Sequence, residues 1–379
     1  KRDTPDQLVR IPRCPSGKGG VEAKSEDVLR GKAGAKRVEV NATGRVMREL
    51  DRRDGVAGAD VQLTIDAQLQ NYVQARLGEE SASAIIMDCQ NGDLLAIASA
   101  TSFAPNLYVR GISALEDGLF TPEDTVWCPV QLVVAWRRFH CWLRVGHGHM
   151  DLGQSLKQSC DVYYYDLAVK VGIEKISAMA RRFGLGTRHD LPMSAIAEGL
   201  TPTKDWKYRV HGADWRVGDT VNASIGQGYM LASPLQLTVM AARLATGRSV
   251  TPRLIKSVDG IEEPDGAGED MGIARRNLKK MQDAMYAVVN DRKGTAYSSR
   301  TIADDMRMAG KTGTSQVRNI TAEERRAGVV RNEDLPWERR DHALFVNFAP
   351  FDNPKYAVAV VVEHGGGGSN AAAPIARDI

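Results

Sequence analysis

No run of eighteen or more apolar residues occurs anywhere in the 379 residues, so no segment reads as a membrane-spanning helix. No signal-peptide pattern opens the chain. Charge of one sign is equally scarce. A formal net charge of +3 is too small for the concentrated basic face of a nucleic-acid binder. Residues 1–58 hold 14 Lys/Arg against 9 Asp/Glu, which reads as a solvated basic face or a weak contact surface. Cysteine is rare and odd in number: Cys14, Cys89, Cys128, Cys141 and Cys160. That count excludes a fully paired disulfide framework within one chain. Internal repeats are absent. What remains is ordinary globular composition, 43% hydrophobic and 26% charged, and enough length for one large or two medium domains.

The order of patterns sets the fold class. Val38–Asn41 and Gly44–Leu50 alternate like short strands, and Asp54-Gly55 with Gly58 marks a turn or linker. Thr64 or Asp66 can cap a helix from Ala67 through Leu77. Two apolar runs, Ser83–Asp88 and Leu94–Ser99, flank Asn91-Gly92, a strong hairpin signal. A second hairpin pairs His342–Phe348 with Tyr356–Glu363, and an extended stretch, Met306–Val317, precedes it. Ile173–Phe183 and Pro234–Ala245 carry helical spacing. Strands, then helices, then strands predict an α+β domain whose antiparallel sheet draws on both ends of the sequence. The expected division is a domain of residues 1–58 and a larger one of residues 59–379.

Two short motifs can carry chemistry. Lys311-Thr312-Gly313-Thr314 lies in an extended stretch. Its ammonium can hold a carboxylate or share a proton with a nucleophile, and its hydroxyls can bind a terminal carboxylate. Gly313 permits close backbone approach, and the Thr314 N–H can face a developing oxyanion. The same tripeptide is also an ordinary strand end. Ser159-Cys160-Asp161 places a hydroxyl and a carboxylate two residues apart, able to relay a proton. The competing reading makes Ser159 or Asp161 a helix cap.

Ser-x-x-Lys, Ser-Asp-Asn and Lys-Thr-Gly together mark the penicillin-binding and serine β-lactamase fold. The order of the last two motifs here resembles that set. Gly17–Glu22, Leu29-Arg30-Gly31 and Val38–Asn41 resemble the N-terminal pedestal of class B penicillin-binding proteins. Leu63–Asp66, Gln68-Leu69-Gln70, Gly146-His147-Gly148, Trp206-Lys207 and Gly218-Asp219-Thr220 are similar to their transpeptidase domain. So are Ser224–Tyr229, Pro234-Leu235-Gln236, Gly294-Thr295-Ala296 and Glu363-His364-Gly365. The resemblance implies a penicillin-binding transpeptidase domain, an antiparallel sheet with helices, behind an incomplete pedestal. It implies a serine D-Ala-D-Ala transpeptidase of peptidoglycan synthesis, acting on stem peptides of lipid-linked precursor strands and acylated by β-lactams. Ser159, Asp161 and Lys311 become catalytic, and Thr312, Gly313 and Thr314 substrate-binding. A RodA-type glycosyltransferase, MreC, and an inner-membrane anchor before residue 1 of a periplasmic domain follow from it too. A scaffold that lost its nucleophile and a β-lactamase-like hydrolase are the alternatives.

One motif is missing. No serine is followed three residues later by lysine. Thr201-Pro202-Thr203-Lys204 is a decoy in the wrong place. The text before Ser113 resembles the family's loop, and that after Ala114 the end of its nucleophile helix. The resemblance thus implies a segment omitted at that junction, a nucleophile that cannot be numbered, and a chain break too long for one peptide bond. A similar join is expected near Cys14–Ser16.

Cys128, Cys141, His147 and Cys160 follow as Cys-x12-Cys-x5-His-x12-Cys. Three thiolates and an imidazole suit structural Zn2+, with His140 and His149 as substitutes for His147. Some family members are similar in holding zinc at these places. A Cys128–Cys141 disulfide with Cys160 as a free thiol is the other possibility. Cys89 reads as core, and Cys14 has no evident partner.

Overall fold

The computed structural model describes residues 16–98, 107–194, 196–318 and 320–379. Cys14 lies outside them. The chain forms two compact units. One takes residues up to Thr64 together with Asp190–Ile196 and Arg253–Pro264, and the other takes the rest. The expected boundary after residue 58 therefore moves to Thr64, and two later segments join the first unit.

In the first unit, β1 (Ala35–Val40) pairs antiparallel with β2 (Val46–Arg53), close to the predicted alternation. β3 (Val61–Leu63) pairs with a strand from much later in the chain, which no local pattern could announce.

The second unit is built on a five-stranded antiparallel sheet. The predicted first hairpin is β4 (Ala82–Asp88) and β5 (Leu94–Ala98). At its turn Gly92 has φ +78°, and a Cβ there would fall 2.0 Å from the Thr251 carbonyl oxygen, so both conformation and space require glycine. Four short strands follow: β6 (Val126–Cys128), β7 (Gln131–Val134), β8 (Arg137–His140) and β9 (Gly148–Met150). The late strands of the first unit are β10 (Ile255–Val258) and β11 (Ile261–Glu262), with β10 between β11 and β3. The main sheet is completed by β12 (Ala309–Ser315), β13 (His342–Ala349) and β14 (Tyr356–Val362). Its order is β12-β13-β14-β4-β5, so both ends of the sequence meet at its centre, as predicted, and β12 is an edge.

Central strands are buried along almost their whole length, because helices cover the sheet. Ala84, Ile86, Phe345, Val358 and Val360 share one core with Ala372 and Ile375 of the last helix. The helix Pro234–Thr246 packs on β4, β13 and β14 and is buried from Leu235 to Ala245. Ser233 caps it in a reciprocal arrangement with Gln236, and Pro234 stands at its first position, a strong start signal. Asp66 caps the predicted first helix, accepting from the Gln68 and Leu69 amides. Thr203 of the decoy motif is a cap as well, accepting from the Trp206 amide at 3.1 Å.

The expected chain break is not found. A single helix, Leu107–Glu116, runs through Ser113 and Ala114. Its Arg110 is fully buried, and none of its guanidinium nitrogens has a hydrogen-bond partner among the described residues. The guanidinium lies 5.6 Å from the Tyr164 ring centre. Burial pulls its pKa down to about 9.

His189 gives the larger unit a built-in acid sensitivity. It is buried, its Nε2 lies 3.2 Å from the Gly184 carbonyl oxygen, and burial beside Arg243 lowers its pKa from 6.5 to about 4. The folded state favours neutral imidazole, so its stabilisation is complete above pH 6.5 and lost as pH falls toward 4. Urea titrations should show stability falling across that interval. His189→Gln should flatten the slope, and an unchanged slope would rule out His189 as its source.

Candidate active site

The turn carrying Ser159 is fixed from both sides. Asp151 caps the helix Leu152–Lys157, accepting from the Gln154 amide at 2.7 Å. The next helix, Asp161–Val171, starts after Cys160. Only two residues, Gln158 and Ser159, separate the first helix from the cap of the second. Ser159 absorbs the reversal at φ +54°, a left-handed conformation that costs a serine on the order of 1 kcal/mol. Trp142 clamps the turn: its indole N–H donates to the Gln158 carbonyl at 3.1 Å and its amide to the Asp161 carboxylate at 3.0 Å. The helix-cap reading of Ser159 and Asp161 is not what the structure shows. Cys160 is the cap residue, without a side-chain bond.

Lys311 lies on edge strand β12, 1% exposed. Its amine donates to the Ser159 hydroxyl and to the Thr312 carbonyl at 2.8 Å. The two motifs, 152 residues apart, thus share one cleft. Burial lowers the Lys311 pKa to about 8, against the opposing pull of Asp161. Near neutrality this amine can exchange a proton. Asp161 moves the other way: burial, then the neighbouring Cys141 thiolate, raise its carboxyl to about 7.

Other residues of the strand are aimed by neighbours that the motif itself does not reveal. The Thr312 hydroxyl lies 2.9 Å from that of Thr295. The Thr295 amide donates to the Lys157 carbonyl at 3.3 Å, which links the strand to the helix before Ser159. Gly313 is half-buried and Thr314 exposed, leaving a free edge for an extended ligand. Behind the strand, a Cβ on Gly368 would fall 2.2 Å from the Leu344 oxygen and 2.5 Å from the Gly313 oxygen. The glycine run therefore packs backbone to backbone on the Lys-Thr-Gly strand.

The four predicted metal ligands come together. The donor atoms of Cys128, Cys141, His147 and Cys160 all lie within 4.8 Å of one another. Pairing of β6 with β9 sets Cys128 opposite Gly148, beside His147. The His147 Nδ1 is 3.7 Å from the Cys128 sulfur and 3.4 Å from the Cys141 sulfur. Two such ligands on tetrahedral zinc stand about 3.6 Å apart, given the usual Zn–S and Zn–N bond lengths. All four thiols among the described residues are free, so the Cys128–Cys141 disulfide is not formed. Hydrogen bonding from Cys160, with a further bond from His147, outweighs burial and lowers the Cys141 thiol below the ordinary thiol range. Neither alternative to His147 belongs to that cluster of donor atoms, and the His149 ring packs on Trp127 instead. Cys89 is buried in the core, as expected.

The Gly368 contact is testable. Gly368→Ala should push the turn off β12, lowering Tm by several degrees and weakening any ligand bound along Lys311–Thr314. Retention of wild-type Tm would show that the backbone contact is dispensable.

Residues 82–379 match the family model described as penicillin binding protein transpeptidase domain, and residues 13–63 match the penicillin-binding protein dimerisation domain. Peptidoglycan D,D-transpeptidase MrdA of Haemophilus influenzae is 33% identical over 96% of this chain and 62% of its own length. The Escherichia coli K12 protein of the same name is 33% identical over 93% of this chain and 62% of its own. This chain thus spans less than two thirds of those relatives. Among solved structures, Pseudomonas aeruginosa PBP2 in complex with WCK 5153 superimposes with TM-score 0.81 at 29% identity, covering 99% of this chain and 85% of that one. Helicobacter pylori PBP2 in complex with MreC gives TM-score 0.82 at 29% identity, covering 95% and 71%. With most of its length matched by that domain model, this chain belongs to the penicillin-binding protein transpeptidase family.

Proposed function

We propose that this protein is a peptidoglycan D,D-transpeptidase that cross-links stem peptides during cell elongation through a serine acyl-enzyme and is acylated by β-lactams. The observation that carries this reading is the Lys311 amine donating to the Ser159 hydroxyl across the cleft beside a free strand edge. A stem peptide ending in D-Ala-D-Ala docks along β12. The hydroxyls of Thr312 and Thr314 hold its terminal carboxylate. Lys311 moves the proton between the attacking hydroxyl and the leaving amine, and terminal D-Ala departs. An amine from a neighbouring stem then resolves the ester; water in its place gives carboxypeptidase activity. The dimerisation-domain match over residues 13–63 favours this reading over a β-lactamase-like hydrolase.

The partners proposed are MreC, with which the Helicobacter pylori relative was solved, and a glycosyltransferase of the RodA type. A related structure, 26% identical with TM-score 0.78, concerns coordination of polymerization and crosslinking by a peptidoglycan synthase complex. The site of action proposed is the periplasmic face of the inner membrane, reached through an anchor outside these residues. Among the described residues no helix is long and apolar enough to cross a membrane.

The cysteine cluster is proposed to hold structural zinc. Cys128, Cys141, His147 and Cys160 would hold it, and the bound ion would tie the β6–β9 segment to Cys160 and so to the Ser159 turn. Elemental analysis should find close to one zinc per chain. His147→Ala should reduce that content and lower Tm by several degrees. A stoichiometry near zero in protein purified without chelator would remove the metal.

A second reading, a catalytically silent scaffold, is favoured by one specific observation: the chain has no Ser-x-x-Lys, and the Leu107–Glu116 helix is unbroken. Turnover separates the two. With a D-Ala-D-Ala stem pentapeptide and an acceptor amine, wild type should release D-Ala, and Lys311→Ala should lower that rate by at least about a hundredfold. A folded wild type that releases no D-Ala would leave the scaffold.

A further inference from the structure

Three of the four donors in the cysteine cluster are sulfurs, open to oxidation as well as to metal binding, and all three are free. Two of them are held side by side. His140 and Trp142, on either side of Cys141, both bond to the helix that Cys160 caps. The Tyr165 hydroxyl donates to the His140 carbonyl at 3.2 Å, and the Trp142 amide donates to the Asp161 carboxylate at 3.0 Å. The Cys141 and Cys160 thiols hydrogen-bond to each other. Cys128 comes instead from β6, whose partner is β9. Cys141 is also the way in for a reagent. It keeps 6% of its surface exposed, against 1% for Cys128 and 0% for Cys160.

We propose that Cys141 and Cys160 are a site of reversible oxidation by hydroperoxides, and that the disulfide formed there frees the β6–β9 segment from the cluster. The Cys141 sulfur attacks a peroxide oxygen: an S–O bond forms, the O–O bond breaks, and water leaves. The Cys160 sulfur then attacks the Cys141 sulfur: the S–S bond forms, and the hydroxyl leaves as a second water. Two thiols lose two electrons and two protons, and one hydrogen peroxide becomes two waters. The two sulfurs, now within 4.8 Å of each other, close to about 2 Å. A metal is held by thiolates, which the disulfide removes. Cys128 and His147 alone remain as donors, where structural zinc takes about four. The new bond keeps Cys160 beside Cys141 and the Trp142 clamp, so the Ser159 turn stays held. β6 and β9, strands of three residues each, lose their link to that turn through the cluster.

Disulfide mapping on the whole protein decides it. Wild type is loaded with zinc, freed of reductant, treated with hydrogen peroxide, alkylated, and digested with trypsin without reduction. Cys128, Cys141 and Cys160 fall in separate peptides, residues 111–137, 139–144 and 158–170. The expected result is 139–144 joined to 158–170, with zinc passing to a chromogenic chelator in step with the bond. Amide hydrogen exchange should quicken at residues 126–128 and 148–150 while residues 158–161 keep their protection. Dithiothreitol followed by zinc should reverse both changes. The Cys128→Ser variant should still form the bond, so the pairing is read even where the metal set is incomplete. A link from 111–137 to either other peptide, or a sulfinic acid at Cys141 with no link, overturns the pairing. A wild type that takes up no zinc, keeps it after the bond forms, or shows no faster exchange at β6 and β9 overturns the release. Mass and exchange are read without substrate, so these failures leave the acyl-transfer reading untouched.

Discussion

A primary amine taken almost wholly out of water needs acceptors, because an uncompensated buried cation costs several kcal/mol. Lys311 has two, the Ser159 hydroxyl and the Thr312 carbonyl. Much of the architecture serves that one requirement. The edge strand supplies the amine, the break between two helices supplies the hydroxyl, and Trp142 fixes the break. Burial that would otherwise only destabilise lowers the amine to about 8, where it can give and take a proton. The opposing shift at Asp161, up to about 7, shows the same desolvation acting on the other sign of charge.

Parts of this were legible in the sequence for definite reasons. The hairpins at 82–98 and 342–362 were readable because turn residues punctuate apolar runs, and β12 lies within the extended stretch read before the second of them. Spacing identified the four metal-ligand candidates. The parts that stayed hidden depend on contacts between distant segments. Pairing of β3 with β10 joins residues nearly two hundred positions apart. The Thr295–Thr312 contact, the Trp142 clamp and the packing of Gly368 on Gly313 carry no local signature. Ser159 looked like a helix cap because caps and strained turns favour the same residue types.

The junction at Ser113 and Ala114 divides the two levels of reading most sharply. The family resemblance there implied an omitted segment, whereas backbone geometry gives one continuous helix. Arg110 reconciles part of the conflict. Its guanidinium is enclosed without a hydrogen-bond partner among the described residues, a condition native cores seldom tolerate.

Position 159 also sets durability against chemistry. A left-handed residue with no call on its side chain is most comfortable as glycine, which has no oxygen to present to Lys311. Evolution toward the most robust fold and evolution toward a working cleft therefore pull this one codon in opposite directions.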